Sequence, residues 1–197
     1  MPLDQFLALT TLAVVGSFTP GPNTTIATVT GANHGFRATL PHIFGVPFGF
    51  STLLLAGSLG VAALLLASPH VTALIKWAGV AYLLHIAWQI GGARAIAERQ
   101  VARPLTFWQS AAFQYANPKA WMLAAATAGS FSAGAATVRG TAIILGVFSV
   151  AACTSLVVWA AAGAALRGWL AHGGRLRAFN VAMGLLLAAT AAWMAVQ

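Results

Sequence analysis

Apolar positions dominate six stretches of the chain, residues 4–28, 40–67, 71–91, 107–128, 140–165 and 178–196. Each is about the ~20 residues that a helix needs to cross a bilayer. Polar positions gather between them in short connections, the longest being GGARAIAERQVARPLTF. Nothing is left over for a soluble domain. The pattern predicts an all-α polytopic membrane protein, a single domain over 1–197 with six transmembrane helices.

Two of the six predicted helices are interrupted. FTPGPNTTIA (18–27) carries Pro20, Gly21, Pro22 and Asn23, and QYANPKAW (114–121) carries Asn117, Pro118 and Lys119, with apolar sequence on both sides of each. A proline removes one backbone donor and displaces the carbonyl four residues before it. Irregular backbone at membrane depth survives only where protein buries it or where it lines a cavity. Pro-Gly-Pro goes beyond a kink and is expected to unwind a turn. The resulting half-helices offer amide donors at one end and carbonyls at the other, a pair suited to a zwitterion, with its carboxylate on the amides and its ammonium on the carbonyls. Asn23 and Asn117 are expected to bridge exposed backbone groups.

The two halves echo each other. Pro22 and Pro118, Gly45–Val46 and Gly146–Val147, and Gly79 with Trp88 and Gly184 with Trp193 recur in the same order. Three spans per half is an odd number, so the second half enters the membrane from the opposite side. The expected architecture is a 3+3 inverted-topology repeat with broken first and fourth helices, halves about 1–92 and 104–197, and a linker at 93–103. Such folds are typical of secondary transporters and set the substrate site near the midplane, where corresponding helices break.

Composition reinforces the membrane reading: 59% of the residues are hydrophobic and 6% charged, against ~25% charged in soluble domains. The formal charge of +8 does not point to nucleic acid. Arg37, Arg94, Arg99, Arg103, Arg167, Arg175 and Arg177 fall between spans on one side, while Lys76 and Arg139 lie on the other. The positive-inside rule then sets the first group in the cytoplasm and both termini outside, in the cell inner membrane, with anionic lipid headgroups as neighbours. The N-terminus, MPLDQF, lacks the basic residues of a cleaved signal, so the first span is expected to be retained. Cys153 is alone, which excludes an internal disulfide, and is read as a small packing residue.

TPGPN in the first span, NPKAW in the fourth and GANHGFRATLPHIFGVPFG between the first two spans resemble the LysE/RhtB family of amino-acid exporters. The resemblance extends to the count, order and length of the spans. It implies efflux of amino acids or their derivatives from the cytoplasm, driven by the proton gradient. Carried over, the family's first motif is Pro20, Gly21, Pro22 and Asn23, and its second is Asn117, Pro118 and Lys119. Thr39 departs from the glycine that relatives commonly have after the basic residue of the first loop.

Ionisable and polar groups at membrane depth are the remaining candidates. Lys119 either attracts a substrate carboxylate or snorkels to an interface. Gln114 and Tyr115 are candidates to line a cavity beside the second break. Asp4, His42 and His85 are the proton-coupling candidates; each has a plainer reading, Asp4 as a helix cap and the histidines as packed neutral rings. No Asp or Glu lies well inside a span, which favours a neutral or weakly polar amino acid over lysine or arginine as substrate. The tryptophans mostly fall near span ends, as interface anchors do. Small residues four apart, Gly45 with Gly49 and Ala56 with Gly60, predict close helix packing and leave a homodimer open. The reading needs no cofactor and no metal, and the sequence has no nucleophile motif, phosphate loop or metal-spaced cluster for an enzyme. The alternative is a carrier or channel for another small solute, such as an ion.

Overall fold

The computed structural model describes residues 1–58, 68–92, 103–135 and 137–196. Among these there are helices and no strands: α1 (Leu3–Phe18), α2 (Pro22–His34), α3 (Phe36–Ser58), α4 (Pro69–Gly91), α5 (Phe107–Phe113), a 3-10 turn (Gln114–Ala116), α6 (Pro118–Ala135), α7 (Val138–Leu170) and α8 (Arg175–Val196). Four of them, α3, α4, α7 and α8, are long and apolar enough to cross a membrane. The order interrupted, long, long occurs twice: α1 and α2 followed by α3 and α4, then α5 and α6 followed by α7 and α8. The chain is a polytopic helical membrane protein. Arg94, Glu98 and Arg99, and nearly all of the predicted linker, lie outside the described residues.

Local chemistry starts and stops these helices. Pro22 and Pro69 occupy first helical positions, where a missing N–H costs nothing. Thr106 and Gln109 form a reciprocal capping box at the start of α5, and the Thr137 hydroxyl accepts from Gly140 N–H at 3.0 Å to start α7. Gly35 alone joins α2 to α3, with φ +87°, a conformation that only glycine adopts without strain.

Several boundaries differ from the sequence expectation, and the fourth span also runs past 128, since α6 ends at Ala135. The first span does not end at 28, because α2 runs on to His34. The fifth is longer than 140–165; α7 has 33 residues and is about 50 Å long at 1.5 Å per residue. Hydropathy falls at Arg167, but a helix does not stop for an exposed arginine. The second span starts earlier, at Phe36, and its residues 59–67 lie outside the described residues.

Small residues set the packing. A Cβ on Gly45 or Gly49 of α3 would collide with the carbonyl oxygen of Phe107 or of Ala111, so α3 and α5 touch through their backbones. Gly31 of α2 meets the carbonyl of Ala160 and Gly163 of α7 meets that of Thr28, while Gly184 of α8 packs on Ala87 of α4. Such contacts are how helices associate where no hydrophobic force favours protein over lipid. Gly146, the sequence counterpart of Gly45, faces open space.

Candidate functional site

In the first break, α1 stops at Phe18 and α2 starts at Pro22. The last carbonyls of α1 lose their helical donors, two of them because Pro20 and Pro22 have no N–H. Other spans answer two that the prolines do not free, those of Ser17 and Thr19. Ser155 of α7 donates its hydroxyl to the Ser17 carbonyl at 2.8 Å, and the Lys119 ammonium donates to the Thr19 carbonyl. Lysine at the C-terminal end of α1 also opposes that helix's negative pole. The Thr24 hydroxyl folds back to accept from Gly21 N–H and donate to the Gly21 carbonyl, each at 2.9 Å.

In the second break, Asn117 takes an extended conformation (φ −98°, ψ 110°), as the residue before a proline prefers. Its side-chain oxygen accepts from Lys119 N–H at 3.1 Å and so caps α6. The Gln114 carbonyl, freed by Pro118, accepts from Asn117 N–H at 3.2 Å, and the Tyr115 carbonyl accepts from the Trp121 indole at 2.7 Å.

A closed ring of hydrogen bonds ties the two breaks together. The side-chain amides of Asn23 and Gln114 pair reciprocally at 2.9 and 3.3 Å, and Gln114 also donates to the Ser110 carbonyl at 2.9 Å. His42 Nε2 lies 3.1 Å from the Asn23 carbonyl and Nδ1 lies 2.9 Å from the Ser110 hydroxyl. A carbonyl only accepts, so Nε2 carries the proton, and in the neutral ring Nδ1 accepts from Ser110. His42, Ser110 and Gln114 are buried. A largely buried network of this kind fixes one geometry, and losing any member leaves its partners unpaired.

Beside this ring is a cavity of about 60 Å³, several times the ~10–15 Å³ that one water needs. Gly21, Pro22, Asn23 and Thr24 line it from the first break and Gln114, Asn117 and Lys119 from the second, with Val46, Phe50, Phe148 and Leu156 among its apolar walls. The first-turn amides of Asn23 and Thr24 have no acceptor among the described residues. The Lys119 ammonium spends one of its three donors on Thr19. No carboxylate is in the lining. The wall can therefore donate to an anion and offers no carboxylate to a cationic side chain.

Of the residues singled out from the sequence, Gly21, Pro22, Asn23, Gln114, Asn117 and Lys119 meet at this cavity. Pro20 is exposed and is not among the residues that line it. Tyr115 and Pro118 face the other way, lining a separate cavity of about 400 Å³ with Lys76, Trp121 and Trp193. Asn117 bridges backbone as expected, whereas the Asn23 side chain binds Gln114 instead. The half-helix carbonyls expected to take an ammonium are partly occupied at the first break, where those of Ser17 and Thr19 already have protein donors. Asp4 is exposed in the first turn of α1, whose N-cap is Pro2. His85 is exposed on α4, 2.7 Å from Gln89 Nε2. The Trp121 indole donates to the Tyr115 carbonyl, and the indole N–H of Trp159 is buried without a partner among the described residues. Thr39, the departure from glycine, is also buried, with its hydroxyl unpaired there.

Sequence reasoning missed Thr24, Ser110 and Ser155, and a second reciprocal amide pair, Asn33 with Asn180. Scarcity was the available signal. The chain has few amide side chains, and one inside an apolar span must find a partner.

The family model described as "LysE type translocator" matches residues 14–197. The chain is 30% identical over 185 residues to a protein of Salmonella paratyphi A named "Cysteine/O-acetylserine efflux protein", covering 91% of this chain and 92% of the relative. It is 28% identical over 184 residues to the protein of the same name from Escherichia coli K12, with the same coverage. No solved structure matches significantly. The chain belongs to the LysE type translocator family and is a multi-pass membrane transporter of a small molecule, not an enzyme.

Proposed function

We propose that the chain exports a neutral amino acid or amino-acid derivative from the cytoplasm, coupled to the proton gradient, through the cavity between its two breaks. The observation that carries this reading is the composition of the wall: the Lys119 ammonium and the free first-turn amides of α2, with no carboxylate. An α-carboxylate fits the first two, and the lack of a carboxylate disfavours a lysine or arginine side chain. Cysteine and O-acetylserine, named for the relatives, are neutral at the side chain and are the first substrates to try. The cavity would lie where the two halves of a 3+3 inverted repeat, 1–92 and 104–197, meet near the midplane. The arginine-bearing end, with Arg37, Arg103, Arg167, Arg175 and Arg177, would face the cytoplasm of an inner-membrane protein, with both termini outside. Among Asp4, His42 and His85, His42 is the candidate for proton coupling, because it alone bonds to a break.

The test is flux in proteoliposomes. Labelled cysteine and O-acetylserine should exchange, lysine should not, and a proton gradient should accelerate net efflux. Flux of no amino acid would discard the reading in favour of a carrier or channel for another small solute, such as an ion.

A further inference from the structure

The cavity lining includes α2 only as far as Thr24. From Thr25 to Asn33 every residue of α2 is buried, although the sequence TIATVTGAN is far from uniformly apolar. Neighbours enclose it on all sides. Ile26 and Val29 pack with Leu83 of α4 and Leu187 of α8, Ala27 with Ile43 of α3 and Ala160 of α7, and Ala32 with Leu170 and Leu176. Among the described residues, α2 thus fills the bundle between the cavity and the end where Gly35 turns the chain.

We infer that α2 is the gate at that end, and that Asn33 and Asn180 are its releasable latch. The inference rests on the exporter reading, since a gate presupposes a passage. Three features support it. First, Asn33 Nδ2 donates to Asn180 Oδ1 at 2.9 Å and Asn180 Nδ2 returns a bond at 3.2 Å, both side chains being buried and 147 residues apart. Water can replace each amide bond at small net cost when the pair parts, whereas an apolar pair would expose hydrocarbon. Second, α2 meets α7 through Gly31 and Gly163, where backbones touch without interlocking side chains. Third, both ends of α2 are non-helical glycines, Gly21 and Gly35, which can absorb a rigid displacement. Asn33 also donates to the Val29 carbonyl, so its latching geometry is set by its own helix.

The test bridges the latch. In a Cys153→Ser background, Asn33→Cys and Asn180→Cys are linked by a short bis-methanethiosulfonate, and labelled O-acetylserine is the probe, because cysteine would reduce the bridge. Exchange should fall at least about tenfold, as it does when gating limits turnover, and recover with dithiothreitol. Thermal stabilisation by O-acetylserine should persist. Unchanged exchange in fully bridged protein would overturn the latch. If the unbridged protein neither binds nor moves any amino acid, the exporter reading fails instead. The latch is then tested by access alone, as it is if the double variant does not fold. Asn180→Ala should raise the rate at which a membrane-permeant maleimide labels Thr30→Cys several-fold, and an unchanged rate would overturn the gate.

Discussion

Two regions of this molecule each hold a pair of prolines, and only one of them breaks its helix. Pro20 and Pro22 separate α1 from α2, whereas Pro41 and Pro47 sit inside a continuous α3. Spacing is the difference. Pro41 and Pro47 each free one carbonyl in separate turns, Arg37 and Ile43, and the bonds between them hold the helix. Pro20 and Pro22 fall within one turn, with a glycine between them that has least to gain from helix. The replacements differ too. Ile43 receives the weak Cys153 thiol, with Sγ 3.7 Å from its carbonyl oxygen, while the first break receives a serine hydroxyl and an ammonium. The first break is therefore a place where the opposite half supplies strong donors, one of which, Lys119, lines the cavity. The second break needs one proline because Asn117 supplies the cap beside it.

The largest effect that would test this contrast is at Lys119. Lys119→Met keeps the length of the side chain but removes the donor to Thr19 and the charge in the cavity wall. A hydrogen bond to a charged group is worth ~1.5–3 kcal/mol, so O-acetylserine affinity should fall about 10–100-fold, read by thermal stabilisation. Equal affinity would assign Lys119 to the fold alone.

Pro22→Ala comes next. It restores an N–H that can reach the Phe18 carbonyl and lets helix propagate toward Thr19, drawing that carbonyl away from Lys119. Exchange should drop about tenfold while expression holds, the pattern of a lost functional geometry without lost packing. Pro41→Ala, in the region that stays helical, should leave exchange within about twofold. If both variants behave alike, the spacing of the prolines has no functional meaning.

The same contrast explains what could be read without coordinates. Local rules located both breaks, because Pro-Gly-Pro and Asn-Pro act on their own turn. The apolar runs located the long helices, and Gly45 with Gly49 announced a close crossing. Pairing over distance was not legible. Asn23 with Gln114, 91 residues apart, and Asn33 with Asn180 depend on which helices become neighbours, and hydropathy scores each amide as a cost. That is why hydropathy ends the first span at 28: the polar tail of α2 is buried by a partner that no window contains. Gln114 and Tyr115 looked equivalent as flanks of one break, yet a 3-10 turn points consecutive residues to different sides, one to each cavity.

The smallest effect isolates the weak donor. If the Cys153 thiol answers a carbonyl that Pro47 freed, its value depends on the proline. Cys153→Ala should cost about 0.5 kcal/mol, the low end for a hydrogen bond, and lower the unfolding midpoint by about 1–2 °C in a chain of this size. Cys153→Ser keeps a donor and should be nearly silent. In a Pro47→Ala background residue 47 supplies its own N–H to Ile43, so adding Cys153→Ala should cost nothing further. The coupling between the two sites, obtained from the double-mutant cycle, is then the worth of the thiol alone. An equal cost of Cys153→Ala in both backgrounds would mean that Cys153 only fills space, and that α3 tolerates Pro47 with its carbonyl unanswered.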